Sequence, residues 1–174
     1  MKVVSEASDK IYHLQAYPEF KTDFYYDTST NEFSKVKPAT GKYSFEAVME
    51  EGQTIQMEDQ LTEDVIAPPV ITKCEYVKAQ SNAVLLWEAL TGADVFVVKL
   101  YENNTLIFLT TAIDAKSYSG INFNATSQGW SKDFTPKAGT TYRVIVSAFK
   151  YESVANSYDI QASSITESTL LWAE

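Results

Sequence analysis

"GTTYRVIVSAFKYE", residues 139–152, is the stretch whose reading decides how this chain folds. Gly139 and two threonines lead into Tyr142, and Val144, Val146 and Ala148 then recur at every second position. A period of two is the spacing of side chains along one face of a β-strand. Its core is "TYRVIVSAF" (141–149), and the same alternation appears in "AVLLWEA" (83–89) and "YDIQASSI" (158–165). "ADVFVVKLYENNTLIFLTTA" (93–112) reads as a hairpin around Glu102-Asn103-Asn104-Thr105. Asn tolerates the left-handed conformation of a tight turn, so the Asn pair is a turn signal with a mechanism. No stretch sustains helical periodicity, and "FNATSQGWSKD" (123–133) reads as a polar loop or one short helical turn. Short strands at regular spacing predict a sandwich or barrel.

Composition agrees with that class. The chain has 174 residues, with eleven Tyr and nine Phe. That length suits one large domain or two small ones, and aromatic residues pack well on a pleated sheet. The formal net charge is −9, which repels nucleic acid, and there is no basic patch with interleaved aromatics. Solubility is the simple use of such acidity. No apolar run is long enough to span a membrane. The start, "MKVVSEASDK", lacks the features of a signal peptide, and the single cysteine, Cys74, rules out an intrachain disulfide. Together these predict a chain that folds in a reducing compartment, or one whose leader has been removed.

Two internal similarities predict a duplication. "KVVSEASDKIYHLQAY" (2–17) resembles "VLLWEALTGADVFVVKLY" (84–101), with Val3–Ala7 against Leu85–Ala89 and Ile11–Tyr17 against Val95–Tyr101. "VKPATGKYSFEAVMEEG" (36–52) resembles "FTPKAGTTYRVIVSAFKYE" (134–152), matching Pro38 to Pro136, Gly41 to Gly139 and Tyr43 to Tyr142. The Tyr142 strand therefore has a twin at Tyr43. "IAPPVI" (66–71) marks the boundary, because two consecutive prolines donate no ladder hydrogen bonds and hold the chain extended. It suits a stiff linker or the lead-in to an edge strand. The expected domains are residues 1–66 and 67–174. In the first, "KVVSEA" would be the second strand, with no first strand before it; in the second, "VITKCEYVKA" (70–79) supplies that strand.

At these residues the chain resembles the fibronectin type III family. That family carries a Trp in its second strand and a Leu-x-Pro-x-T-x-Tyr-x-V-x-V-x-A pattern leading into its sixth. Here Trp87 stands in "VLLWEA", and Phe134, Pro136, Tyr142, Val144, Val146 and Ala148 fill the second pattern, with Phe for Leu and one extra residue before the Tyr. The resemblance covers residues 68–168 well and 1–66 more weakly, since Ser5 takes the place of the Trp. It implies an all-β chain of two tandem fibronectin type III or Ig-like sandwiches, the N-terminal one abbreviated. It also implies a role in adhesion, spacing or protein contact, brings no general catalytic residues, and makes Trp87, Tyr142 and Tyr43 core.

The chemistry-bearing residues give weak signals. His13 and Cys74 could form a nucleophile–base pair, but the repeat puts them in different domains, with no third group to orient the base. Zinc needs a Cys/His cluster that the sequence lacks. Glu50, Glu51, Glu58, Asp59, Glu63 and Asp64 gather near the boundary without the spacing of a calcium loop, so a solvated acidic face is expected. Paired carboxylates for glycoside hydrolysis would need a cleft that a small sandwich rarely offers. No Gly-rich phosphate loop, GxSxG elbow or HExxH occurs. No cofactor is therefore expected.

Candidate interaction residues are aromatic or apolar. In "YPEFKTDFYYD" (17–27), Tyr25 and either Tyr17 or Phe20 would face outward if Phe24 and Tyr26 face in, and Trp130 sits in a polar loop. Exposed Tyr and Trp favour interfaces and stack on sugar rings. The competing reading is that such rings cover the edges of a thin core. Leu170, Leu171 and Trp172 are too apolar for a free tail. They would serve as a donated strand in a homo-oligomer, or as the last strand of their own domain. These features suggest a non-enzymatic structural or adhesive module with protein partners in a larger assembly. A phage virion accessory protein, made in the host cytoplasm, fits best. The alternative is an exported bacterial cell-surface protein that binds a glycan or a protein partner.

Overall fold

The computed structural model describes residues 1–6, 8–16, 24–25, 39–49, 52–152 and 160–173. The described chain is all-β apart from one 3-10 turn, Lys78–Gln80, and falls into two compact units, Met1–Asp64 and Val65–Glu174.

In the first unit, β1 (Lys2–Ser5), β2 (Lys10–His13), β5 (Gly41–Val48) and β6 (Thr54–Leu61) form an antiparallel sheet in the order β2-β1-β5-β6. A two-stranded ribbon pairs β3 (Gln15–Ala16) with β4 (Phe24–Tyr25). The registers set Tyr12, Val3, Phe45 and Met57 in one row across the four-stranded sheet, and Ile11, Val4, Ser44 and Glu58 in the next. Because successive side chains point to opposite faces, one face collects Tyr12, Val3, Phe45, Ala47, Ile55 and Met57. The other carries ion pairs. Lys2 meets Glu46 at 3.2 Å, and Lys42 bridges Glu6 and Glu58.

The second unit is a sandwich. Its strands are β7 (Ile71–Val77), β8 (Asn82–Trp87), β9 (Val95–Glu102), β10 (Thr105–Leu109), β11 (Ile113–Asp114), β12 (Gly120–Phe123), β13 (Thr141–Tyr151) and β14 (Ile160–Leu171). One sheet has the order β12-β8-β7 and the other β10-β9-β13-β14, with the short β11 also on β9. A single core joins them. Ala83, Leu85 and Trp87 come from one sheet, and Phe96, Val98, Leu100, Tyr142, Val144, Val146, Ala148 and Leu170 from the other. The period of two in the sequence thus marks the inward face of each strand. The Asn turn is present as well: β9 and β10 pair across it, and Asn103 has φ 55°.

"IAPPVI" belongs to this unit as the lead-in to β7, an edge strand. Ile66 is buried in the core, and the Ser164 hydroxyl donates to the Ala67 carbonyl at 2.8 Å. The Thr166 hydroxyl donates to the Pro69 carbonyl, and the Val70 carbonyl accepts the Glu88 N–H. The last strand runs past the 158–165 expected for it. It pairs with β13 from Ile160 opposite Tyr151 to Leu171 opposite Thr141.

The units share one sheet plan. β2-β1-β5-β6 has the same chain order and the same hairpins as β10-β9-β13-β14. β5 then answers to β13, as the match of Tyr43 to Tyr142 expects. However, β1 answers to β9 and not to β8, and β2 to β10 and not to β9, which corrects the pairing of Val3–Ala7 with Leu85–Ala89 and of Ile11–Tyr17 with Val95–Tyr101. Short apolar runs of two strands look alike in sequence, and only the hydrogen-bonded neighbours separate them.

Candidate functional site

Trp130 is placed by its loop and by the end of the core. Gly129 before it has φ 108°, and a Cβ there would lie 2.7 Å from the Leu109 carbonyl oxygen. Only glycine fits so close an approach. The tight backbone lets Trp130 form an isolated bridge with Phe108. Its ring centroid then lies 4.7 Å from Phe108, 5.5 Å from Phe134 and 5.6 Å from Trp172. The indole N–H donates to the Asn124 carbonyl at 2.9 Å. Asn124 itself turns the loop, its side-chain oxygen accepting from the Thr126 N–H and hydroxyl and from the Ser127 hydroxyl. Trp130 is half-buried and closes one end of the sandwich. Its polar group is satisfied and its ring is packed, so it is not a free stacking platform.

The C-terminal segment divides by alternation. Leu170 is buried, and Trp172 is only 4% exposed, packed on Tyr76 at 4.8 Å and Phe123 at 6.1 Å. The Trp172 carbonyl accepts the Gly139 N–H at 2.7 Å, and its own N–H donates to the Thr140 carbonyl. These two residues are core, which corrects their place among candidate surface residues. Their segment is the last strand of its own unit. Leu171 faces outward at 57% exposure. Tyr25 lies in β4 opposite Gln15, while Tyr17 and Phe20 fall outside the described residues.

His13 lies on β2 opposite Lys2, and Cys74 on β7 of the second unit. The Cys74 sulfur reaches the Thr169 carbonyl at 3.4 Å, and burial pushes the thiol above its ordinary pKa. Such a thiol is a poor nucleophile at neutral pH. Among the described residues, no group of three or more His, Cys, Asp or Glu could hold a metal, and no helix is long and apolar enough to cross a membrane.

Two surfaces went unread in the sequence. The first is the outer face of β9, β13 and β14. Arg143 sits 4.6 Å from the centre of the Tyr101 ring and 3.3 Å from the Glu167 carboxylate. In the neighbouring rows Ile145 and Ser147 are buried although they point away from the core. Each is flanked by a strand on both sides. The second surface is β6, paired only with β5 among the described residues, with Ile55 and Met57 exposed beside Glu58 and Asp59. Its alternation is present in "TIQMEDQL", but two adjacent carboxylates, Glu58 and Asp59, interrupt the apolar pattern.

No protein-family model and no curated protein matches this chain.

Proposed function

We propose that this protein is a non-enzymatic structural module of the fibronectin type III or Ig-like kind, displayed on a larger assembly. The observation that carries the reading is the tyrosine contact that recurs in both units. The Tyr142 oxygen accepts the Lys137 N–H at 2.8 Å, and the Tyr43 hydroxyl donates to the Ala39 carbonyl at 2.8 Å. A Tyr at the start of the penultimate strand, bonded back to backbone a few residues upstream, is the tyrosine corner of Ig-like sandwiches. The strand orders β12-β8-β7 and β10-β9-β13-β14 support the same assignment. Such a unit spends its interior on packing, so what it offers other molecules is its faces and edges.

Two such units, a strongly acidic surface and no disulfide suit a phage virion accessory protein on a capsid or tail. Mass spectrometry of purified particles and of cell-envelope fractions tests this assignment. Peptides of the chain enriched with capsid or tail proteins support it. Enrichment in the envelope, with binding on a glycan array, would replace it with the cell-surface reading.

A further inference from the structure

We infer that the β6 edge of the first unit pairs with the same edge of a second copy of this chain. Long exposed edges invite pairing, and proteins protect them with bulges, prolines, charged side chains (lysine above all), short length or covering groups. The second unit shows such devices. β10 carries a register shift between Leu106 and Phe108. β7 follows two prolines, has a shift between Ile71 and Lys73, and bears Lys73. β14 is covered by the bonds from Ser164 and Thr166 to the 67–69 segment. β12 and β2 have only four residues each.

Among the described residues β6 shows no bulge, proline or lysine, and its charges are the two carboxylates Glu58 and Asp59. It runs for eight residues, Thr54–Leu61, without Pro, Lys or Arg, and pairs with β5 in unbroken register. Among the described residues, β5 is its only strand partner. Its apolar side chains are exposed, Ile55 at 47% and Met57 at 53%.

The charge pattern selects the occupant. Both carboxylates, Glu58 and Asp59, lie in the C-terminal half of the strand, and Thr54 to Met57 are uncharged. In a two-fold antiparallel pairing centred on Gln56, Ile55 of each copy faces Met57 of the other. Glu58 then faces Thr54, and Asp59 faces Gln53. No two like charges stand opposite, and the exposed apolar residues cover one another. The two four-stranded sheets become one continuous sheet.

The mass of the full chain in solution tests this. The expected species is a dimer of the 19.5 kDa chain, converted to monomer by Met57→Lys with the circular dichroism spectrum unchanged. In a Cys74→Ser background, Gln56→Cys should form a disulfide-linked dimer on mild oxidation, and Glu58→Cys should not. Cα atoms directly opposite in an antiparallel pair lie about 4.5–5.5 Å apart, within disulfide reach. A monomer at every concentration overturns the inference. So does a dimer whose mass is indifferent to Met57→Lys, or cross-linking through Glu58→Cys in preference to Gln56→Cys.

Discussion

The Tyr142 hydroxyl oxygen accepts the backbone N–H of Lys137 at 2.8 Å, closing the turn that feeds β13. Tyr142 is fully buried, with its ring edge-on to Phe134 at 6.1 Å. One side chain therefore fills the core and fixes the chain entering the central strand. Tyr142→Phe keeps the ring and strands the Lys137 N–H. The expected cost is about 1–2 kcal/mol, read as a lower urea midpoint at unchanged slope. Tyr43→Phe should cost less, because Tyr43 is only half-buried. Equal stability of Tyr142→Phe and the parent would show that the bond contributes nothing.

Trp172 anchors the end of β14 against Tyr76, Phe123 and Trp130. Trp172→Ala is expected to destabilise the second unit by about 3–5 kcal/mol, the range for truncating a large buried aromatic. Deleting residues 168–174 should unfold that unit, and calorimetry should show the loss of its transition. A deletion that left stability intact would return the segment to the role of a donated strand.

Gly129 and Leu109 set the position of Trp130. Gly129→Ala adds a Cβ 2.7 Å from the Leu109 carbonyl oxygen, at a φ of 108°. The strain is expected to cost about 1–3 kcal/mol and to loosen the loop. Trp fluorescence should shift to the red as the indole of Trp130 becomes wetter. An unshifted spectrum with unchanged stability would mean that the loop does not hold the ring.

Cys74 gives a dependence on pH. Burial raises the folded thiol pKa, opposed in part by a hydrogen bond with Ser168. The contribution to stability is complete below the unfolded thiol pKa, about 8.5, and is lost as pH rises through the higher folded value. The native thiol should therefore react with an alkylating reagent more slowly than the urea-unfolded thiol at pH 9. In Cys74→Ser the alkaline loss of stability should be smaller. Equal reaction rates would show the thiol to be exposed.

Much of the second unit was legible because its physics is local. The inward side chains Val144, Val146 and Ala148 show the period of a strand, and Asn103 takes the positive φ its turn needs. What stayed hidden depends on neighbours distant in sequence. The polar flanks of Trp130 leave open whether it is exposed or covers the core, and its packing on Phe108 and Trp172 decides for the second. Ile145 lies on the outward alternation and is still buried, which the period of two does not signal. Leu170 and Trp172 lie beyond the alternation of residues 158–165, and only their pairing with the start of β13 makes them the end of one long strand. The β6 edge is invisible without knowing which strand lies last in its sheet.

If β13 is the middle strand of a filled sandwich, its amides should be among the last in the chain to exchange with solvent. Hydrogen–deuterium exchange of the intact protein reads this directly. Amides of residues 143–149, in the strand paired with both β9 and β14, should exchange only through global unfolding of the second unit. Exchange of that segment at the rate of the loops would contradict the fold, and with it the structural role built on it.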